Sequence, residues 1–261
     1  MASGIMPEAT PLELVEAAAG AEFDYGGMWI EPSTWTEATT RAVAARLRDT
    51  GLQLLDVEVV WIKPGPPDPE HLRIIDIGTE LGARNVLCVS SDPDRNATRD
   101  KLGMLVERGT ANGIRVNLEF GLFTEVKTIH DARTLLSEVD GTAAGLLVDS
   151  LHWHRSGGTL ADIAAIPSRW QSYIQLCDAP LPGADPADPE AILMEAIDGR
   201  MPMGQGDLPL RKIVTLLPDG LPIAIEERSK VLRYGFPDLR ERARQVAATT
   251  RSFFANTSIE A

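Results

Sequence analysis

Four oxygen-bearing side chains stand near the ends of separate apolar runs: Glu119 in IRVNLEF, Asp149 in GLLVDSL, Gln175 in SYIQLCD and Glu226 in LPIAIEE. Short apolar runs closed by polar residues read as strands, whose side chains alternate between two faces. In IRVNLEF, Ile114, Val116 and Leu118 share one face, and Arg115, Asn117 and Glu119 share the other. In LPIAIEE, Ala224 and Glu226 lie opposite Leu221, Ile223 and Ile225, so Glu226 rather than Glu227 takes the inward position. Three carboxylates with no Lys or Arg beside them in sequence repel one another unless protonated or bound to a cation. An all-oxygen set favours a hard divalent ion, Mn²⁺ or Mg²⁺, over zinc.

The elements that must bring these residues together alternate along the chain. Helical spacing is found over 11–20, 35–51, 70–83, 94–113, 130–141, 159–166, 208–217 and 238–254. Strand-like runs occupy 25–30, 54–62, 85–90, 114–120, 145–151, 172–178 and 221–227. Gly and Pro punctuate the boundaries. ASGIM, residues 2–6, can supply an eighth strand. Strands followed by helices imply parallel pairing, and eight such units in 261 residues fit an α/β fold of the (βα)8 TIM-barrel kind, one domain over residues 1–261. The alternative, an open doubly wound sheet, lacks its G-x-G-x-x-G after the first strand. In a parallel barrel the active site lies where the strands end, which is where the four oxygen side chains fall. The Pro-rich stretch 179–190 reads as a surface loop over one barrel end and a candidate lid.

Composition narrows the partners. The chain carries 25 Lys+Arg against 38 Asp+Glu, a net charge of −13. Such a surface repels nucleic-acid backbones and anionic lipids, so a small-molecule substrate is expected, with no nucleic acid, no membrane, and a homo-oligomer left open. Cys88 and Cys177 sit in apolar runs and read as buried free thiols, which suits a cytoplasmic location. The first twenty residues show no basic start followed by an apolar core, so no signal peptide is expected.

LEF at 118–120, D-x-x-H at 149–152, QLCDA at 175–179, G-Q-G-D-L-P at 204–209 and IAIEE at 223–227 resemble the sugar phosphate isomerase/epimerase family of xylose-isomerase-like TIM barrels. The resemblance runs over nearly the whole chain, with the motifs in the family's order. It implies that Glu119, Asp149 and Glu226 are metal-binding carboxylates. The family's fourth ligand is commonly His; here Gln175 stands there and still offers a carbonyl oxygen. His152 matches a residue that contacts substrate oxygens, Arg200 one that approaches the substrate, and Glu58 an acid that binds a substrate hydroxyl. Asp207 is expected to cap the helix that follows it, and the G-Q-G glycines to let backbone approach a ligand. Trp29 and Trp61, at strand ends, are candidates to wall a sugar-sized pocket.

The chemistry expected is proton abstraction next to a carbonyl, through an enediolate stabilised by the metal, on a sugar, keto-sugar or related polyol. Glu119 and Glu226 would serve as the catalytic acid–base pair, with His152 and Arg200 steadying oxygens. The family's other outcome is dehydration, of the 3-dehydroshikimate or inosose type. A non-catalytic polyol-binding barrel is the reading from a different class, and an endonuclease of the same fold is disfavoured by the charge.

Overall fold

A computed structural model describes residues 1–139 and 141–257. In chain order it runs α1 (Pro11–Gly20), β1 (Tyr25–Trp29), α2 (Glu37–Thr50), β2 (Gln53–Ile62), α3 (Pro69–Glu80), β3 (Asn85–Ser90), α4 (Arg95–Asn112) and β4 (Arg115–Glu119). It continues with α5 (Ile129–Leu136), β5 (Ala144–Leu147), α6 (Ser150–Arg155), α7 (Leu160–Ala164), β6 (Ile174–Leu176), α8 (Pro189–Asp198), α9 (Leu210–Val214), β7 (Ile223–Ile225), α10 (Lys230–Gly235) and α11 (Leu239–Thr257). The helix expected over 130–141 thus ends at Leu136, and Asp140 lies outside the described residues.

The first five strands form one parallel sheet in sequence order, and β6 and β7 form a second parallel pair. A parallel bridge between Asp149 and Gln175 joins the two, with the Gln175 amide donating to the Val148 carbonyl at 3.0 Å. The circle closes through the first residues. The Ala2 amide donates to Ile225 at 2.9 Å, and the Gly27 amide donates to Met1 at 2.8 Å. This segment does the work expected of an eighth strand, but it is not one. Ser3–Ile5 turns into a 3-10 helix immediately after the two closing bonds. The result is the TIM barrel.

The helices start where the sequence supplies caps. Thr10, Thr128 and Thr159 form reciprocal capping boxes with Glu13, Asp131 and Asp162. Two apolar layers result. Leu55, Leu87, Val89, Leu147, Tyr173 and Ala224 fill the barrel interior. The larger layer, including Val57, Val86, Val116, Leu118 and Leu176, packs the outer strand faces against the helices. Alternation on β4 and β7 is as read from sequence, with Leu118 and Ile225 in the outer layer and Ala224 in the inner one.

Three helices depart from the sequence expectation. α6 is one and a half turns beginning directly after Asp149, and it takes up the 150–155 stretch, including His154. α8 follows the Pro-rich loop, which ends at Asp188; the Asp188 side chain accepts from the Glu190 and Ala191 amides. α10 inserts between β7 and α11. Short or late helices of this kind carry too few periodic residues to stand out in a pattern search. No helix among the described residues is long and apolar enough to cross a membrane.

Two glycines of α4 should respond oppositely to alanine. A Cβ on Gly103 meets nothing within 4 Å, so Gly103→Ala should stabilise by about 0.5–1 kcal/mol through helix propensity. A Cβ on Gly109 would sit 2.6 Å from the Ile114 carbonyl oxygen, so Gly109→Ala should destabilise by about 1–3 kcal/mol. Urea denaturation of the two variants checks both signs.

Candidate active site

The mouth of the barrel gathers the four sequence-identified oxygen side chains. Glu119 is the last residue of β4, Gln175 lies in the middle of β6, Asp149 follows β5 and Glu226 follows β7. Glu119, Asp149 and Glu226 each place an oxygen within 4.8 Å of the others'. All three are buried, and Gln175 is wholly so. Neither side-chain amide atom of Gln175 has a hydrogen-bond partner, and neither does Glu119 Oε1. Buried polar atoms are nearly always satisfied, so an orphaned Glu119 oxygen within a converging carboxylate trio fits a bound cation. The donors are carboxylates and an amide carbonyl, the set a hard divalent ion prefers. The Gln175 side-chain nitrogen cannot ligate a metal, and it has no acceptor among the described residues.

Asp149 is tied down from both sides. Its Oδ1 caps α6, accepting from the Leu151 and His152 amides at 2.9 and 3.1 Å. Its Oδ2 receives the Arg200 guanidinium at 2.5 Å. Arg200 is only 3% exposed; it is a buried residue of the site and not a surface one. Its Nη2 lies 3.2 Å from His152 Nε2 and 3.9 Å from Glu226, and its Nε donates to the Ala196 carbonyl at the end of α8. Because the guanidinium can only donate, His152 Nε2 must be the acceptor, which places the imidazole proton on Nδ1. Burial pushes His152 down to about 4, so it is neutral at physiological pH.

The carboxylates do not share one ionisation state. Burial raises Glu119 well above the usual range, with Glu226 and Asp149 adding repulsion. Burial pushes Glu226 up to about 7 against the pull of Arg200. Asp149 is buried too, but Arg200 holds it below the ordinary aspartate value.

Of the remaining expected residues, Glu58 does face the barrel. It is buried, with Oε1 3.4 Å from the Ser3 amide. Asp56 was not singled out in the sequence, although it stands two residues before Glu58, the spacing that keeps one strand face. Its Oδ2 accepts from the Tyr173 hydroxyl at 3.1 Å across the barrel, and Oδ1 has no partner. Burial pushes both Asp56 and Glu58 up to about 7. Trp61 lines the mouth edge-on to Phe123 at 6.2 Å, and Phe123 lies 4.8 Å from the His152 ring, so the three make one aromatic wall. Phe123 is the member the sequence did not reveal. Trp29 stands apart from that wall and is 47% exposed.

The 199–209 loop is placed by Asp178, whose carboxylate accepts from the Gly204, Leu208 and Ala179 amides at 2.9–3.0 Å. Gly206 is required by this packing, since a Cβ there would lie 2.5 Å from both the Ala179 carbonyl oxygen and Asp178 Oδ1. Its backbone approaches the end of β6. Asp207 does not cap α9, which starts after Pro209 without a side-chain cap; it accepts from the Leu181 amide at 2.9 Å. That bond and one from Arg155 to the Pro180 carbonyl pin the start of the Pro-rich loop.

Comparison with known proteins agrees with this architecture. The chain is 28% identical over 201 residues to a 3-dehydroshikimate dehydratase of Pseudomonas aeruginosa, matching 70% of this chain but only 30% of that protein. It likewise spans 41% of a xylose isomerase-like TIM barrel/4-hydroxyphenylpyruvate dioxygenase fusion protein, with a TM-score of 0.79 and 21% identity over 95% of this chain. It superposes on the zinc-bound IOLI protein over 98% of both chains, with a TM-score of 0.81 and 16% identity. A D-psicose 3-epimerase of Clostridium cellulolyticum H10 aligns over 95% of this chain and 94% of its own, with a TM-score of 0.70 and 14% identity. The sequence pattern of the xylose isomerase-like TIM barrels matches residues 15–248, and the chain belongs to that family.

Proposed function

We propose that the barrel mouth is the divalent-cation site of an isomerase or epimerase that removes a proton beside the carbonyl of a small polyhydroxylated substrate. The observation that carries this reading is the convergence of Glu119, Asp149 and Glu226 within 4.8 Å, with Glu119 Oε1 unpartnered. A cation held there, Mn²⁺ or Mg²⁺, would polarise the carbonyl and offset the charge of the enediolate. Glu119 and Glu226 come from different strands, so one can take the proton and the other return it from the second face. Glu226, raised to about 7, is suited to exchanging a proton near neutrality. Neutral His152 and cationic Arg200 hold substrate oxygens, and Glu58 accepts from a hydroxyl. The Trp61–Phe123–His152 wall shields the reacting carbon from water.

A second reading, dehydration of a cyclic hydroxy-ketone, is favoured by two features. Gln175 replaces the imidazole usual at the fourth position, and the curated relative that aligns with this chain is a dehydratase. The first step is the same proton removal. The hydroxyl on the next carbon then leaves with a proton as water, and the electron pair forms the double bond.

Chelator-stripped protein should bind Mn²⁺ at one ion per chain, and Asp149→Ala should abolish binding in calorimetric titration. With Mn²⁺, a panel of ketoses and hydroxy-ketones in D₂O should show exchange at the carbon beside the carbonyl by NMR. Glu119→Gln and Glu226→Gln should slow that exchange by roughly 10²–10⁴-fold. Growth of an enone absorbance would mark the dehydratase, and absence of Mn²⁺ binding would overturn both readings.

Stability should follow the same charges. Asp56, Glu58, Glu226 and Glu227, all raised to about 7 chiefly by burial, keep protons in the folded state that the unfolded chain releases near pH 4–4.5. Stability must therefore fall as pH rises through about 6.5–8, because these four carboxyls outweigh the single Met1 amino group, which burial lowers to about 5 and which acts in the opposite direction between about pH 5 and 8. His152, lowered to about 4, acts in the opposite direction only below about pH 6.5, where the unfolded chain protonates it. Thermal melts in excess chelator should show the fall, and Mn²⁺ should reduce it by favouring ionised carboxylates. A rise over that window would contradict the assignment.

A further inference from the structure

α8 is apolar on every side, with Ala191, Ile192, Leu193, Met194, Ala196 and Ile197 among its ten residues. A helix apolar all round belongs in an interior, yet Ala196 is the one residue of α8 that is fully buried. Leu193 and Met194 are exposed. α10 adds Val231 and Tyr234, 82% and 76% exposed. The two helices form one surface. The Arg200 amide donates to the Arg228 carbonyl at 3.1 Å, Gly199 and Ser229 make an antiparallel bridge, and Asp198 at the end of α8 pairs with Arg233 of α10. Leu181 flanks α8, because Arg155 holds both the Pro180 carbonyl and Glu195, and it too is exposed. Five of the nine exposed large apolar side chains among the described residues therefore lie in this one region. A grouping of that kind marks an interaction surface.

Charge divides this face into two ends. Asp185, Asp188 and Glu190 stand exposed around the start of α8. The acids further along the helix, Glu195 and Asp198, both have arginine partners, whereas these three have no ion-pair partner among the described residues. At the other end, beyond the Gly199–Ser229 bridge, Lys230 is exposed. Its ammonium lies 5.9 Å from the centre of the Tyr234 ring and has no carboxylate partner among the described residues. The length of α8, about 15 Å, separates the ends. Met194 falls between them: Glu190, Met194 and Asp198 recur at four-residue spacing on the side of the helix away from Ala196.

We propose that this face is a two-fold interface between two copies of the chain, with α8 packed on α8, Met194 near the axis, and Glu190 of each copy beside Lys230 of the other. A two-fold axis sets each end of a face against the opposite end of its copy. A face with an acidic end, an apolar middle and a basic end is therefore complementary to itself. Each chain carries a net charge of −13, so whole-molecule repulsion opposes association. At physiological salt that repulsion is screened over about 8 Å, which leaves the local contacts to decide. The second copy covers the outer side of the helix whose Ala196 carbonyl aims Arg200. The interface is independent of the chemistry assigned to the barrel mouth.

Sedimentation velocity over a range of about 1–200 µM chain should show a monomer–dimer equilibrium. Met194→Glu and Val231→Asp, both at exposed positions, should each raise the dissociation constant at least tenfold, about 1.4 kcal/mol. Thermal melts at the lowest concentration check that each variant is folded. Lys230→Glu and Glu190→Lys should each weaken the dimer, because like charges then meet at both ends of the interface. Mixed in equal amounts, these two variants should pair with one another, since opposite charges meet at both ends of the mixed dimer. The chain carrying both substitutions should pair with itself. Hydrogen exchange should slow in α8 on going from monomer to dimer concentrations. A chain that stays monomeric throughout, a dimer that survives Met194→Glu and Val231→Asp, or charge variants whose mixture associates no better than either alone would overturn the interface.

Discussion

The structure depends on concentrating negative charge in a dry place. Glu119, Asp149 and Glu226 converge within 4.8 Å, with Asp56 and Glu58 also buried in the barrel. Carboxylates this close cannot all ionise without a counter-charge. Arg200 supplies one, and its contact with Asp149 separates one fixed anion from acids whose proton affinity is raised. That separation gives the site its chemistry, because a carboxylate held ionised and a carboxylate able to exchange a proton perform different tasks. It also makes the region sensitive. Removing one partner of a buried pair costs about 3–5 kcal/mol, since the other charge is left stranded.

Much of the surrounding structure serves to hold Arg200. Its Nε bond reaches the Ala196 carbonyl on α8. That helix is fixed to α6 by a two-pronged pair between Arg155 and Glu195, at 2.9 and 2.7 Å. α6 in turn starts from the Asp149 cap. The loop of helices therefore begins and ends on the same aspartate, and the guanidinium is aimed by elements that the carboxylate itself nucleates. Beneath them, Leu55, Leu87, Leu147 and Tyr173 fill the barrel, so the charged layer rests on a solid floor.

The sequence shows the strand ends well and the connections poorly. Glu119 and Glu226 could be assigned to the inward face because alternation is a strict two-residue period, and β4 and β7 keep it. The inward face of Glu58 does not follow from counting, because the β2–β3 register shifts between Val57 and Val60 and breaks the phase along β2. Arg200 could be matched by motif, but its contacts could not be derived. They depend on α8, a helix following a Pro-rich stretch that reads as loop. Asp207 misled because an aspartate ahead of a helix resembles a cap, whereas the tight packing of Gly206 on Ala179 carries its side chain toward Leu181 instead. ASGIM has the composition of a strand, yet only its first residues bond to both neighbours before the chain turns to form the wall around Glu58 and Gly27.

This division has a consequence for how activity is distributed over the fold. The acidic cluster sits on strand ends, which the barrel holds rigid, and the chemistry proposed for it, proton removal beside a carbonyl, is common to isomerisation and dehydration. What differs between those outcomes is how the rest of the substrate is oriented over the cluster. On the proposed reading that orientation would fall to what surrounds the strand ends: the aromatic wall of Trp61, Phe123 and His152, and the loop hung on Asp178. A change in any of these can redirect a shared intermediate without touching a carboxylate. On the proposed reading, substrate choice would therefore fall where the sequence pattern is weakest, in connections whose importance lies in what they approach, such as the Gly206 turn packed on Ala179 and Asp178.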